Sequence, residues 1–326
     1  MMGHLAKPIA SWATGAVLGA FAWLAPAAAT AATDCKAALA PFVQAAKAGD
    51  AAAARGLLGD VETSCPAIWQ VKVKTGLGKL HARIARKELS DGMDPATVRT
   101  RLQDWQRFGD HWTVQELLGS LAEREGDYTS AANHYMAALD LIDDTAATPE
   151  PPPADAITSI HKRTSQAMGL AKEHVAGMTR SSGVRAYYQN STRGIKLPTK
   201  RPQITFMTNT AQFDAQGAAA INELTRIVNR EASSAIVVAG HADERGDPQH
   251  NLKLSAWRME KVKEFLIHGG FRGQIGVLAC GEFVPPEITD PHLRSQEERW
   301  QLARRVEVFY RPEDVPEGHR NDCYTY

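Results

Sequence analysis

The sequence contains no C-x-x-C pair, no G-x-S-x-G, no P-loop and no G-x-G-x-x-G. Their absence removes the usual signatures of redox dithiols, serine hydrolases, phosphate-cradling loops and dinucleotide sites. Net charge is also absent, with 37 Lys plus Arg against 37 Asp plus Glu. A balanced chain has no global pull toward nucleic acid or anionic lipid. Beyond residue 33 no apolar run approaches the roughly 18–20 residues of a spanning helix. Histidines number 11 and are scattered; His241, Asp243 and His250 fit no standard zinc spacing, so neither metal nor cofactor is indicated. What is present is ordinary for globular protein: 44% apolar and 23% charged over 326 residues, which argues for roughly two domains.

The first 33 residues carry a single Lys or Arg, Lys7, and no acid. An uncharged apolar run from Ile9 to Ala25 follows, then Pro26 and small residues with A-x-A options at Ala27–Ala29 and Ala29–Ala31. This is the order of a secretory signal, assigned to 1–32, with an uncleaved anchor as the alternative. The stretch before Cys35, Ala32-Thr33-Asp34, does not resemble a lipobox. The four cysteines, Cys35, Cys65, Cys280 and Cys323, all follow the signal and allow three pairings. The domain division below places two in each half and favours Cys35–Cys65 and Cys280–Cys323, which suits an oxidising compartment.

Residues 33–178 read as helical. Gly49-Asp50 closes one helix and opens the next, and Asp94-Pro95 is a cap followed by a first-turn proline. Trp112 to Asp143 resembles a tetratricopeptide repeat through Leu118-Gly119, Gly126, Tyr128, Ala131, Tyr135 and Ala138. It departs from the pattern at Gln115, Ala122 and Asp143. Small residues at Gly119, Ala131 and Ala138 suit close helix approach, with Tyr135 filling the space between. One repeat cannot bury its own faces, so neighbouring helices must complete the array. After TPEPPP at 148–153, another helix runs from Ala154 to Val175, and 179–202 reads as a Ser/Gly/Thr/Pro linker.

From 203 to 312 the pattern becomes β-α-β-α-β-α-β. Strands are expected at Gln203–Thr208, Ser234–Gly240, Gln274–Ala279 and Arg305–Tyr310. Helices are expected from Asp214 to Arg230, from Asp247-Pro248 to about His268, and from Leu293 to Ala303. The fold class is thus an α+β domain, a mixed sheet with helices on one face, following an all-α domain. Residues 313–326 read as a tail.

Gly240-His241-Ala242-Asp243, Gly246, Asn251, Leu254-Ser255, Arg258, Val262 and Leu266 stand in an order that resembles the OmpA-like domain. Phe206, the A-x-F-D-x-x-G motif at 211–217, Gly281-Glu282 with Pro285, and Arg304-Arg305-Val306-Glu307-Val308 agree with it. The resemblance covers about a third of the chain. It implies non-covalent binding of peptidoglycan through the diaminopimelate of the stem peptide, with Asp243 as the key acid and Arg258 as the key arginine. Asn251, Leu254, Ser255, His241 and Arg305 join them as candidate site residues. The chemistry is reasonable: the free end of diaminopimelate carries an ammonium beside a carboxylate. A carboxylate accepts the first, and an arginine fork binds both oxygens of the second. Asn251, Ser255 and Arg258 share one helical face, beside a packing stripe of Leu254, Trp257, Val262 and Phe265. Ala242, where the family usually has Thr, removes one hydroxyl, and Ala303 replaces a common Asn.

Adjacent Asp243 and Glu244 diverge and make a poor acid/base pair, so the expectation is a protein that is not an enzyme. It is expected to be a periplasmic, outer-membrane- or wall-associated tether in the Gram-negative envelope, holding peptidoglycan through one half and an unidentified protein through its helices. It has no nucleic-acid partner and no membrane span once the signal is cleaved. The alternative is an adaptor whose OmpA-like fold binds the wall weakly or not at all.

Overall fold

The computed structural model describes residues 27–179, 183–197, 199–231 and 234–325, with side chains from 34 onward. Most of the expected signal, 1–26, lies outside the described residues, and its cleavage options fall within the start of helix α1, Ala27–Ala48. Among the described residues no helix is long and apolar enough to cross a membrane.

The helical half runs through α1, α2 (Ala51–Gly56), α3 (Leu58–Ser64), α4 (Ala67–Ser90), α5 (Pro95–Trp105), α6 (Trp112–Arg124), α7 (Tyr128–Asp143) and α8 (Ala154–Leu170). Asp50 and Asp94 cap their helices as the sequence indicates, and Asp127 caps α7; each accepts a backbone N–H at the third position. The Cys35–Cys65 disulfide ties α1 to the residue after α3, over a core of Phe42, Ala54, Leu58, Val61 and Leu77. Helices α6 and α7 fold back on each other. A Cβ at Gly119 would lie 2.7 Å from the Tyr135 ring, so only glycine admits that ring. Ala131, Tyr135 and Ala138 are fully buried.

The segment expected as a linker is packed. Tyr187, Tyr188 and Leu197 join the core formed by α7 and α8, and a small hairpin pairs β1 (Ser191–Thr192) with β2 (Ile195–Lys196). Arg185 is fixed to Asp140 at 2.9 Å. The polar composition of the segment masked two adjacent aromatics, which is enough apolar area to anchor it.

The second half is a mixed five-stranded sheet of order β3-β6-β4-β5-β7. Its members are β3 (Thr199–Lys200), β4 (Ala235–His241), β5 (Gln274–Gly281), β6 (Val306–Phe309) and β7 (Tyr324–Thr325); β4 and β5 are parallel and the other pairs antiparallel. Helices α9 (Ala215–Arg230) and α10 (Pro248–His268) bury Ile221, Leu224, Val262 and Leu266 against Ile236, Val238, Val277 and Val308. Helix α11 (Gln296–Ala303) precedes β6. Of the expected packing stripe, Leu254 and Val262 are buried, whereas Trp257 is 62% exposed.

Two expectations for this half are corrected. Residues 203–208 form no ladder strand; Phe206 makes an isolated bridge to Phe213. The backbone there is used by α9 instead. Asp214 caps α9 through Gly217 N–H at 2.8 Å and accepts the Thr205 hydroxyl at 2.6 Å. A Cβ at Gly217 would fall 1.9 Å from the Thr205 carbonyl oxygen. The sheet edge is Thr199–Lys200, paired with Phe309 and Val308. Nor is 313–326 a free tail. Helix α12 (Glu317–Asp322) and β7 return to the sheet, where Cys323 is bonded to Cys280 and Val315 helps cover Val237, Leu278 and Phe309.

The halves share buried charge. The Glu123 carboxylate on α6 accepts hydrogen bonds from Tyr135 at 2.6 Å, from Arg163 on α8 at 2.9 Å, and from Arg294 before α11. On the other side Glu223 of α9 receives Gly177 and Met178 N–H groups and pairs with His174.

Two stability predictions follow from these burials. Glu123→Ala leaves Arg294 buried without its counter-charge and should lower stability by about 3–5 kcal/mol, read as a shift in the urea midpoint. Lys200 is fully buried, with its Nζ 3.4 Å from His161 Nε2 and over the Tyr187 ring, and burial pushes its pKa down to about 7. The unfolded chain then holds more protons than the folded one between about pH 7 and about pH 10, so stability should rise with pH across that window. Lys200→Met should remove this slope and leave the protein more stable at neutral pH.

Candidate functional site

The loop leaving β4 is built around Asp243. Gly246 turns the chain at φ 97°, and Asp247 caps α10 by accepting the His250 N–H at 2.8 Å. Asn251, one turn into α10, reaches back: its Nδ2 donates to the carbonyls of Asp243 and Arg245 and to Glu282. Ser255 donates to Leu252 O and accepts the Gly281 N–H at 3.1 Å, joining α10 to the end of β5. These two expected site residues shape the loop and the strand end. Leu254 is 5% exposed and packs inward.

Asp243 is 7% exposed and already bonded. Arg245 contributes its backbone N–H and two guanidinium N–H groups, and Arg304 Nη1 donates at 2.6 Å. Burial alone would raise the carboxyl, but the hydrogen bonds from Arg245 and Arg304 outweigh it and hold the pKa down at about 2.

Arg258 lines a cavity of about 270 Å³ between α10, α11 and residues 201–206. Its Nε–H donates to the Thr210 carbonyl at 2.9 Å, and its guanidinium lies 4.9 Å over the Phe206 ring. Among the described residues no carboxylate pairs with it. Burial and the neighbouring Arg304 both disfavour its charge and lower its pKa. The cavity is thus lined by a partly desolvated arginine with no paired carboxylate, and Arg201, Arg304, Arg305 and Asp214 also line it.

Of the closing arginine pair, Arg305 stands among the candidate site residues, but it is Arg304 that meets Asp243. Arg305 also lines the cavity, but its guanidinium is paired with Glu307 at 2.7 Å. Glu307 also takes Arg201 at 3.0 Å and His319 at 2.8 Å. His241 borders the cavity, yet its ring stands edge-on to His319, with Glu307 3.7 Å away. It is held neutral chiefly by burial, with Arg305 acting in the same direction. A ligand atom from each of His241, His319 and Cys280 falls within 4.8 Å of the others, but the Cys280 sulfur is engaged with Cys323. His241 and Arg305 thus border the cavity while their side chains face the buried Glu307 network under the C-terminal segment. Arg245 was missed, although it is only two residues from Asp243; the sequence left the roles of Arg304 and Arg305 undivided, and the structure gives the contact with Asp243 to Arg304.

Residues 205–303 match the OmpA family model, so this part of the chain is an OmpA-family domain. The peptidoglycan-associated lipoprotein of Mesorhizobium japonicum is 30% identical over 89 residues, which are 27% of this chain and 53% of that protein. That of Rhizobium meliloti is 27% identical over 89 residues, 27% of this chain and 51% of that protein. The chain spans about half the length of the curated relatives it matches. Among solved structures, the cell wall anchor of the T6SS from Pseudomonas aeruginosa is 23% identical, covering 34% of this chain and 76% of that one, with a TM-score of 0.28. The periplasmic domain of Helicobacter pylori MotB (residues 90–256) is 22% identical, covering 34% and 70%, with a TM-score of 0.28.

The hydrogen bonds at Asp243 set an expected titration. Its carboxyl resonance in an NMR pH series should remain that of the anion until about pH 2, and Arg304→Ala should move the midpoint upward. Because the folded value is depressed, the stability Asp243 contributes is complete above its ordinary pKa of 3.8 and is lost as pH falls toward about 2.

Proposed function

We propose that the chain is a non-enzymatic protein of the Gram-negative cell envelope that binds peptidoglycan non-covalently through the diaminopimelate of the stem peptide. The observation that carries this reading is the Arg258 guanidinium, which lines the cavity and pairs with no carboxylate among the described residues; Asp214, which lines the same cavity, is engaged with the Thr205 hydroxyl and the Gly217 N–H. A free carboxylate of the ligand supplies the missing counter-charge and two acceptor oxygens. Asp243 lies across Arg304 from that cavity. Its two oxygens offer about four lone-pair positions, so an ammonium competes with Arg245 and Arg304 for the carboxylate rather than finding it empty. The match of 205–303 to the OmpA family supports the reading, as do relatives named peptidoglycan-associated lipoproteins. In this reading the protein resides in the periplasm, anchored to the wall, and its helical half holds a protein partner that the wall contact tethers.

The adaptor alternative has its own supporting observation: Asp243 is satisfied internally, and Ala242 brings no hydroxyl to the loop. Co-sedimentation with purified sacculi separates the two. Mature wild type should pellet with the wall, and Arg258→Ala should weaken the association by about 10- to 100-fold, the effect of one charge-assisted contact of about 1.5–3 kcal/mol. Asp243→Ala should weaken it too. Wild type remaining in the supernatant, with its fold intact by circular dichroism, would favour the adaptor.

A further inference from the structure

The cavity at Arg258 is not made by the OmpA-family domain alone. Ser165, Met168 and Gly169 of α8, with Ala171 just after it, form part of its lining, facing residues 201–206 and α11. This contact is fitted. Gln301 Nε2 on α11 donates to the Gly169 carbonyl at 3.0 Å, and a Cβ on Gly169 would lie 3.0 Å from Leu302 Cδ2. The same two helices are held together nearby by Glu123, which binds Arg163 on α8 and Arg294 just before α11. The wall is therefore in place before any ligand arrives.

We propose that the helical half is a wall of the ligand site, so that α8 sets which ligands reach Arg258. This rests on the preceding reading and adds the class of group admitted. The α8 wall presents no charge; its Ser165 hydroxyl is engaged with the His161 carbonyl and the Tyr187 hydroxyl. Beside it stand the apolar side chains of Met168, Ile204, Met259 and Leu302, while the cavity's other charged side chains, Arg201, Asp214, Arg304 and Arg305, come from segments other than α8. A volume of about 270 Å³ lies just below the usual range for small-molecule pockets, roughly 300–1,000 Å³. The cavity takes an anionic group of amino-acid size at Arg258 with a compact uncharged portion toward α8, while a glycan strand stays outside. Peptide ends that carry a bulky or charged group beyond the carboxylate are rejected by a half of the protein that lies outside the family domain.

The test uses the mature full-length chain and a soluble stem-peptide fragment bearing free diaminopimelate, measured by calorimetry. Gly169→Leu fills the cavity from the α8 side and should weaken binding at least about 10-fold, and Gly169→Ala should weaken it by a smaller factor. In wild type, the backbone amides of Gly169 and Ala171 should shift on adding the fragment, a readout that needs no variant to fold. If wild type binds and Arg258→Ala does not, while both Gly169 variants bind like wild type and the α8 amides stay still, the wall proposal is overturned and the peptidoglycan reading stands. If wild type does not bind the fragment at all, both fall.

Discussion

Glu123 fixes the relation between the two halves of the protein. Its carboxylate is buried where α6, α7, α8 and the segment before α11 converge, and it neutralises arginines from both sides. Such a group is costly to bury and is stable only when every lone pair has a donor. Tyr135, Arg163 and Arg294 supply them. Their convergence dictates the position of α8 against α11, and through it one side of the Arg258 cavity. The helical array and the sheet domain are thus joined by more than a chain crossing, with Glu223 and its backbone donors adding a second junction.

The sheet itself needs both ends of its sequence neighbourhood. Glu307 would be an unpaired charge on the buried face of β6 without Arg201, Arg305 and His319, and its carboxyl is held well below the usual carboxylate range despite the opposing effect of burial. Arg201 follows the edge strand β3, and His319 lies on α12. The Cys280–Cys323 disulfide holds that returning segment against β5. The C-terminal residues therefore complete a polar network beneath the sheet.

Much of this was legible in advance where local chemistry decides the structure. The helix from Pro248 to His268 was marked at its start by Asp247-Pro248 and expected to reach about His268, and its observed bounds agree. The parallel pair β4 and β5 was visible as short apolar runs. What escaped was decided by competition between distant segments. Residues 203–208 alternate like a strand, but Asp214 accepts the hydroxyl of Thr205 and donates its N–H to the Thr205 carbonyl, and Gly217 packs against that carbonyl, so the edge position falls to Thr199–Lys200. The choice between Arg304 and Arg305 depends on the strand's facing, which a one-residue difference reverses. Nothing in the sequence of α8 indicates that Met168 and Gly169 border an arginine about ninety positions later; only the fold brings them together.

In the proposed peptidoglycan reading, the two charged groups at the site differ in a way that would give binding an order. Among the described residues no carboxylate pairs with Arg258, and Arg304 beside it adds, through its like charge, to the cost of its burial. An incoming carboxylate relieves both effects at once and displaces no existing ion pair. Asp243 is the reverse: an incoming ammonium must weaken bonds from Arg245 and Arg304 that already satisfy it. In the peptidoglycan reading, carboxylate capture therefore supplies most of the net gain, while the ammonium contact nearly exchanges one cation for another. That exchange still discriminates, because Asp243 also rejects a second carboxylate at the same place. Affinity then resides mainly at Arg258 and selectivity for the zwitterion mainly at Asp243. Arg304 links the two, since it pairs with Asp243 and lies close enough to Arg258 to lower its pKa.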